Sequence, residues 1–100
     1  MIEFTEETKI YNAKVKFSYF GFEQDNTVLY LQLGFDYEGG TLITNKIILS
    51  KVDKIIDILK VLDLHSYEEL PRKFARIKVV NKKIVEIGNL IENRWIKMVQ

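Results

Sequence analysis

The sequence predicts a mainly β (α+β) fold: a small OB-like antiparallel barrel or coiled sheet of five to six strands, with one helix between strands three and four. Three observations lead there. Apolar and polar residues alternate in two long stretches before residue 38, a single stretch over 51–62 carries helical spacing instead, and alternation returns from Phe74. That order matches the five-stranded oligonucleotide/oligosaccharide-binding barrel, whose helix lies between strands three and four. An open antiparallel sheet with one helix on a face is the alternative. One hundred residues, 47% of them hydrophobic, suffice for one modest core, so the chain reads as a single domain over 1–100 and not as a multidomain enzyme.

The first strand is expected over 10–22, where Ala13, Val15, Phe17 and Tyr19 alternate with Lys14, Lys16, Ser18 and Phe20. The second follows over 28–37, with Leu29, Leu31, Leu33, Phe35 and Tyr37 inward and Val28, Tyr30, Gln32 and Asp36 outward. The polar stretch 23–27 joins them as a hairpin. Setting Phe17 opposite Leu33 and Tyr19 opposite Leu31 keeps the inner sets together, and a one-residue slip would put one set in water. Gly39-Gly40 introduces a third strand over 42–49 with Ile43, Ile47 and Leu49 inward. A three-residue loop then opposes Tyr37 to Ile43 and sets Ile47 beside Leu33. Gly21 and Gly34 inside strands predict bulges or bends, hence strong coiling.

Ser50 is the expected N-cap of the helix, and Val52, Ile55, Ile56, Leu59 and Leu62 form its apolar stripe. Ser66-Tyr67-Glu68-Glu69 has the capping-box form, but Pro71 leaves room for only a single helical turn. A strand over 74–80 buries Ala75, Ile77 and Val79 and points Arg76 and Lys78 outward. A turn through Asn81-Lys82-Lys83 leads to a strand over 84–87, with Val79 opposite Val85 and Ile77 opposite Ile87. Residues 90–96 form either a short sixth strand or a tail over the core. Leu31, Leu33, Ile55, Leu59, Ile77 and Val79 are the expected core.

The residues offer little for catalysis. With no Cys there is neither a disulfide nor a Cys-containing zinc site. His65 is the only His and sits in the capping connection, and Ser18, Ser50 and Ser66 supply no triad with it. Asp53 and Asp57 lie four apart on the helix, where a divalent cation could bridge them, but Lys54 and Lys60 make that a solvated face. Asp36 and Glu38 are at most a weak acid–base hint. Gly39-Gly40 lies between strands and not before a helix, so it is no phosphate loop. No catalytic residue, metal or cofactor is therefore expected, and a small hydrolase is the least favoured reading. No apolar run approaches a membrane span, and the acidic start MIEFTEETK is unlike a secretory signal; both point to a cytoplasmic protein with no membrane partner.

The net charge of +1 conceals polarity. Residues 1–70 carry seven basic and twelve acidic side chains, whereas residues 71–100 carry eight basic and two acidic. The basic set, Arg72, Lys73, Arg76, Lys78, Lys82, Lys83, Arg94 and Lys97, is spread along predicted strands and turns, so it belongs to folded structure. It serves either as edge protection or as a footprint for phosphate or an acidic protein surface. Arg76, Lys78, Lys82 and Lys83 are expected to cluster. On the outer face of the first hairpin, Phe20 is expected opposite Tyr30, with Lys14 and Lys16 beside them. Exposed aromatics among lysines resemble a platform for unpaired bases. Burial of that face by the helix, the C-terminal segment or a second copy in a homodimer is the alternative. Trp95 reads as an anchor of the core or tail.

Three stretches, AKVKFSYFGFEQDNTVLYLQLGFDYEGG, VLDLHSYEELPRKFARI and VEIGNLIENRWI, lie within residues 13 to 96, with gaps at 41–60 and 78–84. Together they resemble a group of small bacteriophage-encoded proteins that share a G-F hairpin, a Y-x-G-G turn, a V-x-S-W-E-x-L-x-G-K-like cap and an aromatic ending. This chain departs from the group at Tyr67, where Trp is usual, at Pro71-Arg72-Lys73, which replace a Gly-Lys pair, and at Thr41-Leu42-Ile43-Thr44, where glycines are fewer. The resemblance carries over no functional residue. It implies a mobile-element origin, and with it a host-cell setting in which small proteins bind nucleic acid or inhibit host defence complexes such as CRISPR effectors. The expectation is a non-enzymatic binding module for nucleic acid or a host nucleoprotein complex, with a single-stranded-DNA-binding accessory as the nearest alternative.

Overall fold

A computed structural model describes residues 7–22, 28–48 and 52–98. Its spine is β1 (Lys9–Phe22), which pairs along its first half with β5 (Phe74–Val80) and along its second with β2 (Leu29–Tyr37). On the far side of β2 lie β3 (Gly40–Ile43) and the two-residue β4 (Ile47–Ile48), while β5 continues to β6 (Lys83–Gly88) and β6 to β7 (Trp95–Lys97). The result is one antiparallel sheet in the order β3-β2-β1-β5-β6-β7, with β4 also on β2. Six of the described strands lie on one path, and the seventh, β4, is the second part of the expected third strand, which is divided into β3 and β4. The sheet coils until β3 comes near β6, but no ladder joins them, so it is not closed into a barrel.

One helix, α1 (Val52–Val61), packs on the inner face. Val15, Leu31, Leu33, Phe35, Ala75, Ile77 and Ile87 from the sheet meet Ile58 and Leu62 from the helix segment, all at most 1% exposed. Fully burying each of the larger side chains favours folding by about 1.5–3 kcal/mol. The core expectation holds at Leu31, Leu33, Ile55, Ile77 and Val79, whereas Leu59 is only half-buried and Ile58 takes its place. Ile56, expected inward, is 42% exposed. Lys54 Nζ also ties α1 to β7 by donating to Lys97 O at 2.9 Å.

Two bulges reset the registers. The first hairpin follows the expected pairing through Lys14 opposite Asp36 and Val15 opposite Phe35; one extra residue at Lys16 then shifts it, so Phe17 faces Gly34, Tyr19 faces Gln32 and Phe20 faces Leu31. In the β5–β6 hairpin the turn is two residues, Asn81 and Lys82, both at positive φ (51° and 62°), as a tight primed turn requires. Val79 therefore faces Ile84 and not Val85, and a shift after it restores Ile77 opposite Ile87. Likewise Tyr37 pairs with Gly40, whose φ of 126° favours glycine, and not with Ile43; Ile47 pairs with Leu31. Ile43 is 53% exposed, against expectation. The 90–96 segment divides into a loop and the edge strand β7. Ser50, Leu49 and the connection over 23–27 lie outside the described residues. Ser66 and Glu69 do cap a single 3₁₀ turn, η1 (Tyr67–Glu69), with Glu69 Oε1 accepting from the Ser66 and His65 backbone N–H groups at 2.9 and 2.8 Å.

Candidate functional site

Because α1 and η1 occupy the inner face, the opposite face of the sheet is not covered by any described element. The ladders place Ile10, Asn12, Lys14, Phe17 and Tyr19 on it from β1, and Tyr30, Gln32 and Asp36 from β2, and the bulged Lys16 reaches Asp36 on the same face. From the other side come Phe74, Arg76 and Lys78 on β5, Lys83 and Glu86 on β6, and Trp95 and Lys97 on β7. Six cations, Lys14, Lys16, Arg76, Lys78, Lys83 and Lys97, thus share the strands of this face with two carboxylates, Asp36 and Glu86.

The aromatic rings lie among these charges. Ile10, Tyr19 and Phe74 are 54%, 52% and 55% exposed. Lys14 Nζ lies 5.6 Å from the Phe74 ring centre. Trp95 folds over Gly88, whose missing side chain leaves room for the indole, and it is flanked by the Arg76 guanidinium at 4.8 Å and Lys78 Nζ at 4.3 Å. Phe17 uses the space over Gly34 in the same way. Hydrogen bonds hold the Trp95 cluster: Arg76 Nε donates to Asn89 O at 2.7 Å, Arg76 Nη2 to Glu92 O at 2.8 Å, and Trp95 Nε1 to Asn93 Oδ1 at 2.9 Å. Lys78 pairs with Glu86 at 3.4 Å, and Lys16 lies 3.9 Å from Asp36.

The structure thus separates the residues that sequence reasoning grouped. Lys14, Lys16, Arg76, Lys78 and Lys83 do share one face. Phe20 does not: the bulge at Lys16 turns it to the inner side, where its ring stacks 4.4 Å from Tyr67. Tyr30 is on the outer face but only 9% exposed, beneath Tyr19 at 6.0 Å and Lys46 at 4.7 Å. Lys82 turns to a cleft beyond the hairpin tip. Arg72, at φ 73°, and Lys73 lie in the turn before β5, at the far end of that strand from Lys82.

Arg94 serves the helix instead. Its Nη1 donates to Lys60 O at 3.0 Å and its Nη2 to Asp63 Oδ1 at 2.7 Å, while Nε makes an ionic contact with Glu92 at 2.7 Å without hydrogen-bond alignment. The hydrogen bond to Asp63 holds the Arg94 pKa above its ordinary value. In return the Arg94 hydrogen bond, followed by that of Asn89, holds the Asp63 carboxyl below its ordinary range. Asn89, 7% exposed, donates to Val61 O and Asp63 Oδ2 and accepts from the Ile91 and Glu92 N–H groups. This network supplies a donor to Val61 O at the end of α1 and a second donor to Lys60 O, which also accepts from the Asp63 N–H at 3.1 Å.

Sequence reasoning missed Tyr19 and Phe74 as face residues and read Trp95 as an anchor. Only Phe74 carried a signal, since it shares the period-2 phase of Arg76 and Lys78. Asp53, Asp57 and His65 are exposed and stand apart from this face. Among the described residues, no helix is long and apolar enough to cross a membrane. Comparisons with protein-family models, curated proteins and solved structures found no match.

Proposed function

We propose that the chain is a non-enzymatic module that binds single-stranded nucleic acid across the uncovered face of its sheet. One observation carries the reading: exposed aromatic rings and an excess of cations share a face that no described element covers. Unpaired bases stack on Phe74 and Tyr19, each stack contributing roughly 1–3 kcal/mol, while Lys14, Lys16 and Lys83 meet the phosphates. Trp95 holds Arg76 and Lys78 against the sheet, so those two cations are oriented before a strand arrives and cost less to order. In the mobile-element setting that the resemblance implies, the strand would belong to the element or to a host nucleoprotein complex, and masking it is a route to inhibition.

Titration of labelled single- and double-stranded oligonucleotides at two salt concentrations tests this. Single strands should bind more tightly than duplex, because duplex bases offer no free faces, and affinity should fall steeply with salt. Absence of binding at low salt would overturn the reading. A protein partner is the second reading, favoured by Ile10, an apolar side chain 54% exposed beside Lys78. Capture of a host complex that survives nuclease treatment would favour it.

A further inference from the structure

Beyond the hairpin tip, on the inner side of the sheet and away from the outer face, an open cleft of about 490 Å³ runs between the start of β1, the end of β2 and the β5–β6 turn. Its size falls in the range of small-molecule sites. Val79, 8% exposed, lies in its wall with Tyr11 and Tyr37, whose ring centres are 4.8 Å apart. Lys9, Lys82 and Glu7 carry its charges. The Asn81-Lys82 turn at positive φ fixes the backbone that presents Lys82 at this position.

We infer that this cleft binds a nucleoside monophosphate unit, as a free nucleotide or as the phosphorylated end of a strand. The chemistry of the walls selects that class. Two ammonium groups match a phosphate monoester, which carries more charge than an internal phosphodiester. The tyrosine pair and Val79 offer an apolar, stackable wall for a base. Glu7 adds an acceptor that suits an exocyclic amino group. Inorganic phosphate meets only part of this set, and a nucleoside lacks the group that the lysines seek. The inference does not depend on the outer face, since none of these side chains projects from it.

The test is a titration of the ¹⁵N-labelled chain with adenosine monophosphate, with adenosine and with inorganic phosphate, read by backbone amide shifts. The monophosphate should cause saturable shifts at Lys9, Tyr11, Tyr37, Val79 and Lys82, with the other two ligands at least about tenfold weaker. Lys9→Ala and Lys82→Ala should each weaken monophosphate binding about tenfold, as expected for loss of a charge-assisted hydrogen bond. Both side chains are exposed, so the variants should fold. The outer-face variant Lys14→Ala/Phe74→Ala should bind the monophosphate as the parent does. A 5′-phosphorylated oligonucleotide that outcompetes its hydroxyl-ended counterpart would identify the strand end as the source; equal competition would identify the free nucleotide. No saturable shift, shifts confined to other regions, or equal binding of inorganic phosphate would overturn the inference, while leaving oligonucleotide binding on the outer face to stand or fall separately.

Discussion

Asp63 and Asn89 show how single residues hold the 89–94 loop against the helix. Removing the Asn89 amide leaves Val61 O and two backbone N–H groups without their partner in a largely buried place, so Asn89→Ala should destabilise the fold by about 1–3 kcal/mol in urea unfolding. Asp63 and Glu69 both have carboxyls held below their ordinary range, Asp63 chiefly by Arg94 and Glu69 chiefly by the His65 N–H. Their contribution to stability is therefore present above the unfolded pKa of about 4 and lost as pH falls through the lower folded value. Unfolding followed from pH 6 to pH 2 should show stability falling below about pH 4, and Asp63→Asn should flatten that fall. None of this network could be read from the sequence. Arg94 counted there as one more cation, because what assigns it to the helix end is the loop that brings it back to Lys60 and Asp63, a contact 31 residues distant in sequence.

The strands and the helix were legible because period-2 and 3.6-residue patterns reflect directly which faces are buried. The bulge at Lys16 was not, since one inserted residue leaves the alternation of the flanking segments intact and changes only which partner they meet; Gly34 signalled a bend but not which strand held the extra residue. The consequence falls on Phe20, which the bulge removes from the outer face. On α1 the expected stripe ran through Val52, Ile55, Ile56, Leu59 and Leu62 and left out Ile58, whereas packing buries Ile55, Ile58 and Leu62. Ile58→Ala should therefore cost roughly 2–5 kcal/mol, whereas Ile56→Ala, at a site 42% exposed, should cost less than about 1 kcal/mol. Equal losses in chemical denaturation would place the helix in a different rotation about its axis.

At the scale of the molecule, the fold divides its labour by face. The inner side of the coiled sheet holds the core and α1, the open end holds the cleft at Lys9 and Lys82, and the outer side gathers cations from both halves of a chain whose first 70 residues are acidic in total. That gathering was only partly visible in the sequence, where the basic residues of the last third stood apart from Lys14 and Lys16; the β1–β5 ladder, which sets Lys14 opposite Phe74, joins them. The most direct test of the binding face is a salt-dependent titration of one single-stranded oligonucleotide against the parent chain, the outer-face variant Lys14→Ala/Phe74→Ala/Lys83→Ala, and a helix-side control, Lys60→Ala. The account predicts that the parent and the control bind alike. The outer-face variant should lose roughly 1–3 kcal/mol from stacking, and about 1.4 units of salt slope from its two missing phosphate contacts on a single strand. Equal binding by all three proteins, or none by the parent at low salt, would contradict it.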